Sequence, residues 1–215
     1  MNEETSLNSS KLEKIIEDSK IEQPVIILGE THGNTNEYNC YLNLMKKIKS
    51  FYFLCEVCHI KPNPIFDHFK VKCEDRLIIC DWSDEIRSRI NNEIHNDYKI
   101  YPNHLERNKG KILKSLFGNE KEIIIGKKIL KYLNQTYETI IVLIGHEHAS
   151  ERSYIHNVLK DKTEYIAFWK NTEHCKHCGK KLPEDYKGKY CCSCGANLYN
   201  LLIHKRAISP NCGGK

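Results

Sequence analysis

The chain has 215 residues, 40% hydrophobic and 28% charged, with 33 Lys and Arg against 28 Asp and Glu for a net charge of +5. This is ordinary globular composition with enough Ile, Leu and Tyr for a core, and it excludes collagen-like, coiled-coil and wholly disordered chains. No run approaches the roughly 18 apolar residues of a membrane span, and the charge balance is too mild to argue for nucleic acid.

The N-terminus, Met1-Asn2-Glu3-Glu4, has neither signal-peptide nor myristoylation pattern, which predicts a cytoplasmic protein. Eleven cysteines in a reducing compartment then point to metal binding or burial rather than disulfides. No internal repeat of fixed period is evident.

Ser10-x-x-Glu13 is a capping-box pattern ahead of Leu12, Ile15 and Ile16, and predicts a first helix. Pro24 opens an apolar run, Val25 to Leu28, that ends at Gly29. Asn34-x-x-Glu37 starts a helix with Tyr38, Tyr41, Leu42, Met45 and Ile48 at helical spacing. Phe51 to Val57 and Leu77 to Trp82 are further strands. Asp84 to Asn96 is predicted helical, and a polar stretch follows from Asp97 to Gly118. Asn119-x-x-Glu122 begins a helix carrying Ile125, Ile129, Leu130 and Leu133. Thr139 to Gly145 is the most strand-like run, followed by a helix from Ser150 to Lys160 and a strand from Glu164 to Trp169. Short apolar strands alternating with helices predict an α/β fold, with a mostly parallel sheet covered by helices on both faces.

After Lys170 the composition shifts to Cys, Lys and Gly. The expected division is an α/β domain over 1–170, a small C-terminal module over 171–204 and a flexible tail over 205–215. Cys175-Lys-His-Cys178-Gly and Cys191-Cys-Ser-Cys194-Gly are two CxxC-Gly turns, which fits a zinc ribbon. Four thiolates suit tetrahedral zinc and leave no open coordination position, so the metal is expected to be structural. The matching register favours Cys191 over Cys192 as a ligand. Zinc ribbons often touch nucleic acid or other proteins, which makes those the candidate partners of this module. Lys176, Lys180, Lys181, Lys187 and Lys189 give it a basic edge, diluted by Glu173, Glu184 and Asp185.

Ligands of open parallel sheets bind beyond the carboxyl ends of the strands. The apolar runs end in Gly29-Glu30-Thr31-His32-Gly33-Asn34, in Glu56, in Asp81-Trp82 and in Gly145-His146-Glu147-His148. Glu30 and His32, and likewise His146 and His148, are two apart, so in extended chain each pair points one way. Histidine with carboxylate suits either a divalent metal or metal-free acid–base catalysis. Cys55-Glu-Val-Cys58-His59 matches a haem-attachment string, with a pair of core or loop thiols as the default reading. Cys40, Cys73 and Cys80 read as core residues, and His68, His95 and His104 as surface ones.

Leu28-Gly-Glu-Thr-His-Gly-Asn34, the strand ending in Glu56 and Ile144-Gly-His-Glu-His148 together resemble the erythromycin esterase-like, Tiki-type and haem-uptake superfamily. The resemblance covers residues 24–169 loosely. It implies an α/β fold and hydrolysis of an ester or peptide bond, often metal-assisted, although some members bind haem instead. Carried over, Glu30 and His32 match the opening motif, Glu56 the second-strand acid, and His146 or His148 the closing motif. The expected function is a hydrolase acting on a small molecule or peptide, with Glu56 or Glu30 as general base, a second divalent metal in the same site, and Asp81 and Arg152 contacting substrate. The alternatives are a non-catalytic haem-like binding protein, or a chain whose zinc ribbon docks on nucleic acid or protein.

Overall fold

The structure, a computed structural model, describes residues 9–31, 33–56, 64–72, 74–80, 120–183, 186 and 188–206. His32, Asp81, the helix expected over 84–96, the Cys58-His59 end of the haem string, Cys73, His95, His104 and the tail beyond 206 lie outside the described residues.

The elements in order are α1 (Ser9–Ser19), β1 (Val25–Glu30), α2 (Thr35–Met45), β2 (Phe51–Cys55), α3 (Pro64–Lys72) and β3 (Leu77–Ile79). Then come α4, covering 120–133, β4 (Thr139–Gly145), α5 (His146–Ala149), α6 (Tyr154–Leu159), β5 (Tyr165–Lys170) and β6 (Tyr199–His204). They form a six-stranded sheet in the order β3-β2-β4-β1-β5-β6, parallel throughout except that β6 runs antiparallel to β5.

Alternation along the strands divides the core into two layers. Ile26, Leu28, Phe53, Ile141 and Leu143 face α1, α2 and α3. Val25, Ile27, Leu54, Val142 and Ile144 face α4 and α6 through Ile125, Ile129, Ile155 and Leu159. Every residue from Ile140 to Ile144 is fully buried, each worth about 1.5–3 kcal/mol relative to exposure. That two-sided burial is why these strands read as continuous apolar runs rather than alternating ones. No helix among the described residues is long and apolar enough to cross a membrane.

The chain leaves β1 and β2 toward the first helical layer and leaves β4 toward the second. Connections therefore diverge on either side of β4, and crevices open at its carboxyl end.

Three local expectations change. The helix expected from Ser150 to Lys160 is broken: α5 occupies His146–Ala149, Ser150 is extended, and α6 begins only at Tyr154. Ser153 causes the restart, because its hydroxyl accepts from the Ile155 amide at 3.2 Å and caps α6. The segment Tyr199–His204, grouped with the C-terminal module, is instead the edge strand of the main sheet, paired with β5 over its whole length. The cysteine module is thus an insertion between β5 and β6. It also contains a repeat that the sequence reading passed over. Glu173, Cys175, Gly179 and Leu182 recur sixteen residues later as Lys189, Cys191, Gly195 and Leu198, with the same backbone bonds in both copies.

Candidate functional site

Parallel register places Glu30 opposite Gly145, and the Glu56 amide donates to the Leu143 carbonyl at 2.9 Å. Glu30, Glu56, His146 and His148 therefore share the carboxyl edge of the three central strands, as the sequence predicts. Their side chains do not form one cluster.

The extended His-x-His geometry is replaced by the single helical turn of α5, which sends the two imidazoles to different neighbours. His146 is buried. Its Nδ1 accepts the Lys170 backbone N–H at 2.9 Å, so its proton sits on Nε2, which donates to Glu37 Oε1 at 3.2 Å. With both ring nitrogens committed, His146 has no lone pair left for a metal or a substrate. His148 is partly exposed, and its Nδ1 lies 2.9 Å from Glu122 Oε1. A carboxylate accepts, so Nδ1 carries the proton and Nε2 presents the lone pair. Among the described residues Nε2 has no hydrogen-bond partner.

Sequence reasoning read Asn34-x-x-Glu37 and Asn119-x-x-Glu122 only as helix starts, and Asn119 lies outside the described residues. Asn34 alone caps α2, its Oδ1 accepting from the Asn36 and Glu37 amides. The Glu37 carboxylate, fully buried, accepts from the Thr31 amide at 2.7 Å, the Tyr199 hydroxyl at 2.7 Å and His146. Burial pushes its pKa up, but the hydrogen bonds from His146, Thr31 and Tyr199 outweigh this and hold it below the ordinary value. Glu122 also accepts the Tyr154 amide at 2.7 Å. The available signal was a carboxylate at a helix start opposite a strand-end histidine, which becomes informative only once the strand order is known.

Glu56 is held by the Lys121 ammonium and by the Gly145 amide at 3.1 Å. Burial raises its pKa, and the Lys121 ammonium and the Gly145 amide reverse that to a net lowering, which weakens it as a proton acceptor. Adjacent residues of α4, Lys121 and Glu122, thus hold rim groups from β2 and α5. Glu30 is buried and accepts from the Tyr38 hydroxyl, whose pKa is raised first by burial and then by the Glu30 charge.

Gly29 has a steric reason. A Cβ there would lie 2.6 Å from His146 Nδ1 and 3.1 Å from both Ala149 Cβ and the Phe168 carbonyl. A cleft of about 730 Å³ opens beside α5, lined by His148, Glu122, Arg152, Trp169 and Lys176 among others. It runs between the sheet edge and the first cysteine turn. Arg152 is exposed on its wall, where an anionic group would meet it.

The four cysteines do converge. The ligand atoms of Cys175, Cys178, Cys191 and Cys194 all lie within 4.8 Å of one another, the one such group of three or more His, Cys, Asp or Glu among the described residues. Cys175 to Cys194 and Cys178 to Cys191 are each 3.7 Å between sulfurs, close to the edge of about 3.8 Å for tetrahedral zinc with Zn–S near 2.3 Å. Gly179 and Gly195, at φ +70° and +71°, donate back to the Cys175 and Cys191 carbonyls at 2.8 Å and close the two turns. That positive φ is why glycine follows each CxxC. The Ser193 and Cys194 amides lower the Cys191 thiol pKa and so favour the thiolate that a metal takes. Cys192 is exposed and outside the group. The residues fit zinc. Among the described residues the rim forms no comparable group for a second divalent metal, and His32 and Asp81 lie outside them.

Comparison of the chain with protein-family models, with curated proteins and with solved structures found no match.

Proposed function

We propose that the chain is a hydrolase of an ester, peptide or related bond, with His148 as general base and a structural zinc ribbon inserted before the last strand. The observation that carries this reading is the His148–Glu122 pair: one ring nitrogen is oriented by a carboxylate, and the other has no partner among the described residues at the wall of a cleft. That is the arrangement by which a neutral imidazole takes a proton from water or a hydroxyl. The position at divergent connections of a doubly wound sheet and the likeness of the Gly-Glu-x-His and Gly-His-x-His segments to the esterase-like superfamily support it.

In this reading Glu122 orients the base, and Arg152 receives an anionic part of the substrate. Glu56, neutralised by Lys121, holds the ends of β2 and β4 together. His146 and Glu37 position α5. The acid–base route is favoured over a rim metal because His146 spends both nitrogens on protein partners. The ribbon zinc, held by Cys175, Cys178, Cys191 and Cys194, supplies folding energy to a module with a very small apolar core.

The test is turnover of a panel of chromogenic ester and peptide substrates by the purified chain. His148→Ala should lower the rate by about 10²–10⁴-fold; an undiminished rate would remove His148 as the base, and no turnover of any substrate would remove the hydrolase assignment. Metal analysis should find one zinc per chain, lost in Cys178→Ser and retained in His148→Ala.

A further inference from the structure

The cysteine module leaves the sheet at Lys170 and returns at Tyr199, residues that face each other in the β5–β6 register. Both ends of this base touch the machinery that holds His146. The Lys170 backbone N–H donates to His146 Nδ1 at 2.9 Å. The Tyr199 hydroxyl donates to Glu37 Oε1 at 2.7 Å, the same oxygen that receives His146 Nε2. The Tyr199 ring stacks on Phe168 at 5.4 Å and meets the His146 ring edge-on at 6.3 Å.

The same two residues are tied to the module. The buried Lys170 ammonium donates to the Tyr186 carbonyl at 2.5 Å and lies over the Tyr186 ring, between the two cysteine turns. Asn171 donates to Leu198 at 2.9 Å, joining the outgoing and returning strands next to Lys170 and Tyr199. Leu198 and Leu182 pack with Cys175 and Cys191 in the module's own small core. The path from sulfur to imidazole thus consists of packed or hydrogen-bonded neighbours throughout.

We infer that Lys170 and Tyr199 are positioning residues through which metal occupancy of the four cysteines controls the His146 imidazole, and with it the α5 turn that carries His148. Without the metal, four thiols held only by hairpin turns lose the constraint that keeps the turns together, and the β5–β6 base frays from its module end. His146 then loses its Nδ1 donor, and Glu37 loses one of the donors that fix its carboxylate. The regulatory consequence rests on the reading of His148 as the working base. The clamp on His146 does not.

The experiment uses the full zinc-loaded chain uniformly labelled with ¹⁵N, and follows the His146 Nε2–H ring signal together with amide exchange. Extraction of zinc with a chelator should abolish or shift that ring signal and speed exchange of the Lys170 amide by about tenfold or more, with the Val142 amide in β4 still protected. Tyr199→Phe, which keeps the stacked ring and removes the hydroxyl, should retain zinc and shift the same signal. An unchanged His146 signal in either case would overturn the inference. So would loss of Val142 protection on zinc removal, because the metal would then hold the whole sheet rather than the clamp. None of these measurements needs a substrate, so a positive result without hydrolysis would remove the proposed activity and leave the clamp standing.

Discussion

The two histidines of Gly145-His146-Glu147-His148 make the same kind of contact, imidazole to glutamate, in opposite settings. His146 and Glu37 are both almost fully buried, and every polar atom of the pair that the structure places has a protein partner. His148 is partly exposed beside a largely buried Glu122, and one imidazole nitrogen has no partner among the described residues. Burial with complete satisfaction marks the first pair as architecture. Orientation with a nitrogen unpartnered among the described residues is the ground on which the second is proposed as the base. A His-x-His string cannot distinguish these roles, since both residues have the same type and nearly the same sequence context.

The contrast predicts different consequences for the two pairs. Glu37→Ala leaves the Thr31 amide, the Tyr199 hydroxyl and His146 without their shared acceptor, and should cost on the order of 3–5 kcal/mol of stability by denaturant unfolding. The matching change Glu122→Ala should cost less, about 1–3 kcal/mol, because the Tyr154 amide loses its acceptor while the partly exposed His148 ring can turn to water. Equal costs would erase the distinction. Gly29→Ala drives a methyl group into the His146 ring and should destabilise by about 1–3 kcal/mol, with the His146 ring signal displaced and zinc retained.

Acid should act on stability in two stages. Burial holds the His156 pKa below its usual 6.5, against the opposing pull of the Ala149 and Ser150 carbonyls. The folded state therefore takes up its proton later than the unfolded chain, and the contribution is full above 6.5 and lost as pH falls through the folded value. Glu37 and Glu56 are shifted below 4.5, so theirs is full above that value and lost only at lower pH. Thermal midpoints measured against pH should fall first with the histidine, a step absent in His156→Phe, and again with the carboxylates. The smallest effect belongs to Cys192→Ser, which should leave zinc content unchanged and stability within about 0.5 kcal/mol, since the thiol is exposed outside the cysteine group.

Much of the architecture was legible along the chain. Val25–Leu28, Phe51–Cys55 and Thr139–Gly145 are visible as strands because a parallel strand buried on both faces must be apolar without interruption. Asn34 is visible as a cap because its side chain acts two and three residues away. The cysteine quartet is visible for the same reason: each CxxC-Gly turn is local, and only the pairing of two like turns is not. Local rules failed where a polar side chain had a choice of partners. Glu37 and Glu122 stand in helix-start strings, yet His146 lies 109 residues from Glu37 and His148 lies 26 from Glu122.

Chain order and residue type settled the strands, their apolar faces and the metal-fitting thiols, because those depend on burial periodicity and short-range turns. Strand order, the return of Tyr199–His204 to the main sheet and the division of labour between His146 and His148 came from packing. Each depends on contacts between distant segments, and the free energy of a buried charge or hydrogen bond is set by the neighbours that folding brings to it rather than by its place in the chain.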